Sequence, residues 1–144
     1  MTLRVQGLQM NEAQLMTFMR QAFSQMADEF KVDHVAENEI TMRMLISDKH
    51  LRPGGTVSGP SMFALADVCA YLVTLAMVGP KALAVTTNCS IDFMRKPAAN
   101  ADLIAKGRLL KLGKRLSVSD VMLFSDGQDK PVARASLTYA IPPN

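Results

Sequence analysis

The fold is decided by one stretch of the chain, RPGGTVSGP-SMFALADVCAYLVTLAMV, residues 52–78. Its glycines and prolines predict a loop as far as Ser58 or Gly59, either of which can cap a helix. Pro60 suits the first position of that helix, because no N–H is needed there. The segment 61–78 is apolar almost all round, so we expect a helix that is buried on most sides. Gly79, followed by a proline, predicts its end.

One charge, Asp67, lies in the middle of this apolar segment. Tyr71 and Thr74 follow it at i+4 and i+7, so the three side chains are expected to share a face. Burying a carboxylate without hydrogen-bond partners is costly. Asp67 therefore either has partners for a structural reason or is required for chemistry, and the pattern alone leaves both interpretations open.

Composition limits the class of protein. With 144 residues, of which 49% are apolar and 20% charged, the chain is expected to form one globular domain over residues 1–144. A net charge of +3 is modest. It favours an anionic ligand but is too small to indicate nucleic-acid binding, so no nucleic-acid partner is expected.

Membrane, secretion and metal signals are weak. Residues 60–78 are marginal in length for a membrane span and contain Asp67, and residues 1–10 lack the pattern of a signal peptide. Cys69 and Cys89 stand in apolar surroundings, which predicts reduced, buried thiols in a cytoplasmic protein. His34 and His50 are isolated and lack the spacing of zinc ligands, so we expect no metal site.

The remaining segments predict a helix and six strands. Asn11 can cap a helix running to about Met26, whose apolar residues recur at helical spacing. Two strands are predicted at 32–35 and 40–46, before the long helix. Four more are predicted after it in a meander, at 85–93, 103–112, 116–124 and 132–141.

Two details of these strands can be tested. In the strand 85–93, strict alternation places Thr86, Asn88, Ser90 and Asp92 on one face and the residues between them on the other. In the strand 103–112, Gly107 predicts a bulge. Together the elements indicate an α+β fold, in which a curved antiparallel sheet wraps around the long central helix.

The segment 58–67, SGPSMFALAD, resembles the His-Gly-Gly-x-x-Phe-x-Leu-Ala-Asp signature of the PaaI-like acyl-CoA thioesterases. Later segments fit the same family in the right order: AVTT (84–87), IDFMRKP (91–97), LGKR (112–115) and VARASLTY (132–139). The resemblance covers the chain from about residue 40 onward. It implies the hotdog fold, a homodimer often paired into a homotetramer, and hydrolysis of acyl-CoA to a free acid and coenzyme A.

The resemblance also implies roles for individual residues. Asp67 matches the family's catalytic carboxylate, and Gly59 matches the glycine whose backbone N–H polarises the thioester carbonyl. Thr86 stands where relatives have a Ser or Thr that helps to place the attacking water. Ser58 stands in place of the family's His, and Arg52 in place of an Asn often found six residues before it.

Helix geometry adds a constraint of its own. Gly59 begins the helix, where free N–H groups and the positive end of the helix dipole suit an oxyanion. Asp67 lies eight residues further on, on the order of 12 Å along the same helix. The two groups cannot meet at one carbonyl within a single chain. If both are catalytic, the site must lie between two protomers, with Asp67 acting as a general base on water or as a nucleophile.

Other polar side chains are expected to complete the site. Ser58, Ser61, Thr86 or Asn88 would bind the water or the carboxylate, and Tyr71 is a further candidate for contact with substrate. The phosphates of coenzyme A would attract basic residues, and the candidates are Arg95, Lys96, Lys114, Arg115 and Arg52. No cofactor is expected, because coenzyme A is part of the substrate. A second hypothesis is a dimer that binds acyl-CoA without hydrolysing it.

Overall fold

The computed structural model describes residues 7–143. Its elements, with two short 3₁₀ turns at Ala27–Glu29 and Asp48–His50, are α1 Glu12–Ala22, β1 Phe30–Ala36, β2 Glu39–Met44, α2 Gly59–Val78, β3 Val85–Phe93, β4 Leu103–Leu112, β5 Leu116–Ser125 and β6 Ala133–Ala140. All six predicted strands are present. Helix α1 is shorter than predicted, because its backbone leaves the helical conformation at Phe23.

The six strands form one antiparallel sheet in the order β1-β2-β4-β5-β6-β3. Strand β2 pairs with β4, and β3 crosses to the far edge to pair with β6. The predicted four-strand meander is therefore wrong. Of the last four strands, only β4, β5 and β6 pair in the order in which they follow each other along the chain. Each hairpin turn fixes a local pairing, whereas the placement of β3 depends on the chain passing around the helix.

Helix α2 lies against the inner face of the sheet and contacts every strand. Most of its side chains are buried, and Leu65, Leu72 and Leu75 are completely inaccessible to solvent. Helix α1 packs beside it, against β1. A curved antiparallel sheet around one buried helix is the hotdog arrangement, so the predicted fold is confirmed.

Helix α2 is long and apolar enough to cross a membrane by composition alone, with a mean hydropathy of 1.9. Two thirds of that segment (67%) is buried inside the protein. It is therefore the core helix of the domain and not a membrane span.

The predicted bulge at Gly107 is wrong. Gly107 pairs regularly with Ile40 on one side and Val121 on the other, and the register of β4 shifts beyond it, between Leu109 and Lys111. The glycine has a packing reason instead. A Cβ atom at this position would lie 2.6 Å from the sulfur of Cys69 and 3.1 Å from Cγ2 of Ile40, so a side chain here would force its neighbours to shift.

Candidate active site

The Asp67 carboxylate is half-buried and is held by two hydroxyl groups. Its Oδ1 accepts a hydrogen bond of 2.6 Å from Thr86 Oγ1 on β3 and one of 2.7 Å from Tyr139 Oη on β6. The Tyr139 hydroxyl also lies 3.1 Å from the backbone carbonyl oxygen of Asp67. These hydrogen bonds from the sheet therefore compensate the Asp67 carboxylate for the contacts with water that it loses on partial burial.

The two donors stand opposite each other in the sheet. Thr86 and Tyr139 are register partners on β3 and β6. The register then shifts between Thr86 and Asn88, so Thr87 is the extra residue of a bulge. The bulge breaks the predicted alternation: Thr86, Cys89 and Ile91 are half-buried, whereas Asn88 is exposed. The expectation that Thr86 and Asn88 share a face is therefore wrong.

Sequence reasoning missed Tyr139 as a site residue. Tyr139 lies in the predicted strand 132–141, but the strand pattern alone did not show which residue of that strand reaches Asp67. A usable signal was present, because a buried tyrosine hydroxyl needs a partner and α2 carries a single carboxylate, Asp67. Burial first, and then the negative charge of Asp67, raise the pKa of Tyr139, so its hydroxyl stays protonated.

Tyr71 and Thr74 do not reach the carboxylate. The Tyr71 hydroxyl donates to the Ala82 carbonyl at 3.0 Å, and its ring lies 5.7 Å from that of Tyr139. Burial raises the pKa of Tyr71 to about 12. Thr74 Oγ1 donates to the Ala70 carbonyl, 2.8 Å away. The spacing placed the three residues on one side of the helix, but of the three side chains only that of Asp67 is hydrogen-bonded to β3.

Gly59 is the first residue of α2, and Ser58 is its N-cap. Among residues 7–143, no acceptor is hydrogen-bonded to the Gly59 N–H. A Cβ atom at Gly59 would lie 3.6 Å from the ring of Phe93 at the end of β3. The free N–H at the positive end of the helix can therefore serve as an oxyanion donor.

Ser58 and Ser61 are engaged in the helix cap. Ser58 Oγ accepts from the Ser61 N–H at 3.2 Å and lies 3.0 Å from Ser61 Oγ. The Ser58 N–H donates to the backbone carbonyl of His50 at 2.8 Å. Both predicted site residues thus shape the helix start, about two turns from Asp67 in their own chain.

His50 anchors this helix start from the other side. Its Nδ1 accepts from the Ser47 N–H at 2.9 Å, so the proton lies on Nε2, which donates to Glu29 at 2.8 Å. The hydrogen bond from His50 is the main cause that lowers the pKa of Glu29. The ring is buried and both of its nitrogens are hydrogen-bonded, so this histidine supports the loop and offers no free nitrogen for proton transfer.

The predicted basic residues fall into two groups. Arg52, Arg95 and Lys96 line one cleft of about 430 Å³, together with Gly59 and Phe93. That group surrounds the N-terminus of α2 with positive charge.

Among residues 7–143 no cluster of three or more His, Cys, Asp or Glu side chains could hold a metal ion.

Lys114 and Arg115 lie in the β4–β5 turn, at the opposite end of the sheet. The Arg115 carbonyl accepts from the Ile141 N–H at 2.7 Å, which ties this turn to the end of β6 beside the start of β3. Within one chain, the two basic groups are therefore at opposite ends of β3.

The Asp67 carboxylate and the Gly59 N–H also lie near opposite ends of β3. Asp67 is bonded to Thr86 near the start of β3, whereas Gly59 packs against Phe93 at its end. β3 is an edge strand of the sheet. An antiparallel pairing of two β3 strands would therefore place the Asp67 end of one chain against the Gly59 end of the other.

A sequence profile described as the thioesterase superfamily matches residues 54–132, more than half of the chain. The chain belongs to the thioesterase superfamily. The predicted resemblance is therefore confirmed at the level of the family, and membership supports thioester hydrolysis as the general activity. The matched segment includes both Gly59 and Asp67.

Known proteins agree with this assignment. A candidate thioesterase from Silicibacter sp. TM1040 has a similar crystal structure, with 54% identity over 94% of each chain and a TM-score of 0.89. A variant of PaaI from Thermus thermophilus, a phenylacetic acid degradation protein, is 28% identical over 88% of this chain and 99% of its own, with a TM-score of 0.69. A candidate esterase of Pseudomonas aeruginosa is 29% identical over 108 residues, 74% of this chain and 78% of its own.

Proposed function

We propose that this protein hydrolyses acyl-CoA thioesters to a carboxylic acid and coenzyme A, at two sites in a homodimer. Each site would combine Asp67 of one protomer with the backbone N–H of Gly59 of the partner subunit. The observation that carries the proposal is the placement of these groups at opposite ends of one edge strand. A twofold axis near the middle of β3 would bring unlike ends together at both sites.

The exposed side chains of β3 support such a pairing. An edge strand of nine residues offers unpaired backbone groups to another strand. Val85 at its start is 55% exposed and Phe93 at its end is 52% exposed, and both would be covered in an antiparallel pair centred near Cys89. Homodimerisation is therefore part of the proposal, and pairing of dimers into a tetramer is compatible with it.

The reaction can be written with its atoms balanced. Asp67 takes a proton from water, whose oxygen attacks the thioester carbonyl carbon, and the carbonyl π pair moves onto oxygen. The N–H of Gly59 of the partner subunit stabilises that oxyanion. When the tetrahedral intermediate collapses, the C–S bond breaks and the protonated Asp67 returns its proton to the sulfur of coenzyme A.

A nucleophilic route uses the same atoms. Asp67 would attack the carbonyl carbon itself and release the thiolate, and water would then hydrolyse the mixed anhydride. In a single turnover in ¹⁸O-labelled water, label in the Asp67 carboxyl group supports the anhydride. Label only in the acid product is expected both for the general base and for attack of water on the acyl carbon of the anhydride.

The basic residues account for the coenzyme A half of the substrate. In the proposed dimer, Arg95 and Lys96 of the partner subunit would approach Lys114 and Arg115 at the entrance of each site. Arg52 of the partner subunit would stand beside them. A matched pair of substrates tests this: acyl-CoA, and the same acyl group on pantetheine, which lacks the nucleotide phosphates. Arg95→Ala should raise KM for acyl-CoA about tenfold and change KM for the pantetheine thioester little.

One observation favours a second function, binding of acyl-CoA without hydrolysis. The hydroxyl groups of Ser58 and Ser61 are both engaged in the cap, and His50 in that loop is bonded on both ring nitrogens. These three side chains are therefore not free to assist the water. In that case the site would retain the thioester without turning it over.

A panel of acyl-CoA substrates (short, medium, long and aryl) separates these functions, with thiol release as the readout and calorimetry as the binding measurement. We expect turnover that falls by at least about 10³-fold in Asp67→Asn while acyl-CoA binding is retained. Binding by the wild type without turnover would support the second function. Full activity in Asp67→Asn would exclude Asp67 as base or nucleophile. A cytoplasmic location would agree with this substrate.

A further inference from the structure

We infer that Tyr139 is a positioning residue: with Thr86 it fixes Oδ1 of Asp67 and so assigns the reacting role to Oδ2. The inference rests on the proposed function and adds to it a division of labour within one carboxylate. Tyr139 itself would not touch the substrate. It would act only through Asp67.

The two carboxylate oxygens of Asp67 have different surroundings. Oδ1 accepts the hydrogen bonds from both Thr86 and Tyr139. Oδ2 accepts none from residues 7–143, and among the same residues no buried side-chain oxygen lacks a partner. Oδ2 is therefore not fully buried and has no hydrogen-bond donor, so it can accept a proton or attack a carbonyl, whereas Oδ1 already accepts two hydrogen bonds.

The donor is rigidly held. Tyr139 is 4% exposed, and its ring packs against that of Tyr71. Its backbone is locked into β6 opposite Thr86, where the bulge at Thr87 keeps Thr86 directed toward the helix. A carboxylate held by two fixed donors on one oxygen has a single orientation, so the free oxygen points in one direction.

Both donors hold the carboxylate firmly, because a hydrogen bond to a charged acceptor is stronger than one to a neutral acceptor. The titratable groups that face Asp67 are Tyr139 on β6 and Cys89 on β3, with Tyr71 behind Tyr139. Both tyrosines and Cys89 have raised pKa values, so all three stay neutral at physiological pH. A change in the acid limb of the activity would therefore not come from these three groups.

The test is the pH dependence of kcat in Tyr139→Phe. Removing one donor should move the acid limb to higher pH by about one unit and lower kcat at the optimum about tenfold, with KM nearly unchanged. Thr74→Val is the matched control, because it also removes a buried hydroxyl, on the helix that carries Asp67. That hydroxyl is hydrogen-bonded to Ala70 and Ser117 and not to Asp67. Its acid limb should coincide with that of the wild type.

A second measurement avoids any loss of folding in Tyr139→Phe. The chain has two tyrosines, so biosynthetic replacement with 3-fluorotyrosine changes only Tyr71 and Tyr139. The fluorinated phenol is a stronger donor, and the acid limb should move to lower pH. Fluorinated Tyr139→Phe, which carries the label only at Tyr71, should show no such shift.

The outcomes separate the two proposals. Absence of turnover in the wild type overturns the proposed function and this inference with it. Turnover in the wild type, with an unchanged acid limb in Tyr139→Phe and in the fluorinated protein, overturns this inference alone. A loss of kcat in Tyr139→Phe that Thr74→Val matches, without a shift of the acid limb, assigns Tyr139 a structural role and also overturns it.

Discussion

Mixed dimers of two inactive variants should recover activity, because each proposed site takes one group from each protomer. Asp67→Asn removes the carboxylate, and Gly59→Val covers the N–H with a branched side chain. Gly59 and Asp67 are separated by eight residues of one continuous helix, on the order of 12 Å. An oxyanion donor must lie within about 3 Å of its oxygen, so one chain cannot supply both groups to one site.

The recovery has a calculable size. In a mixed dimer one site carries both defects, and the other combines an intact Asp67 with an intact Gly59. Random assortment at a 1:1 ratio makes about half of the dimers mixed, so about a quarter of all sites should be intact. Mixed dimers isolated with two different affinity tags should therefore have about half of the wild-type turnover.

The assay is thiol release from an acyl-CoA that the wild type hydrolyses, after co-expression of the two variants. Circular dichroism and gel filtration establish that each variant alone is folded and has the oligomeric state of the wild type. Isolated mixed dimers that show no more activity than the single variants would refute the shared site. Full activity of Gly59→Val alone would equally refute the role of the Gly59 N–H.

Three further predictions concern the scaffold around the site. Gly107→Ala should lower the free energy of unfolding by about 1–3 kcal/mol, because its Cβ would meet the Cys69 sulfur at 2.6 Å, and adding Cys69→Ala should restore part of the loss in urea titrations. Ser58→Ala should cost about 1 kcal/mol of stability by removing the cap of α2, and Ser58→Asn should regain most of it; equal stability of all three proteins would contradict the cap. His50 lowers the folded-state pKa of Glu29, so Glu29 stabilises the fold fully above its ordinary value of 4.5, and this stabilisation is lost as the pH falls through the lowered value. The stability difference between the wild type and Glu29→Gln should therefore shrink below about pH 4.5, and a difference that is constant from pH 7 to pH 3 would contradict the pairing.

Local signals in the sequence predicted the elements well. The N-cap at Ser58, the end of α2 at Gly79 and the six strands follow from turn residues and periodicity, which depend only on neighbouring positions. The crossing of β3 to the far edge does not, because it depends on how the chain passes around a buried helix. Gly107 shows the same limit, since its reason is the approach of Cys69 from another element.

The site was predictable in part for the same reason. Asp67 stood out as the one charge of an apolar helix, and Gly59 as the first residue of that helix. Tyr139 did not stand out, because it is contributed by a strand 72 positions later in the sequence. The bulge at Thr87 could not be predicted either. The segment 85–93 reads as a regular alternation whether or not one of its small polar residues is an extra residue of a bulge.

The two thiols have a consequence for measurement. Burial raises the pKa of Cys69, and partial burial together with the charge of Asp67 raises that of Cys89. Near neutrality both sulfurs therefore remain protonated and react slowly with disulfide dyes, which attack thiolates. A colour reagent for free coenzyme A should thus label these two sulfurs more slowly than exposed thiols of ordinary pKa, and the protein without substrate gives the background to subtract.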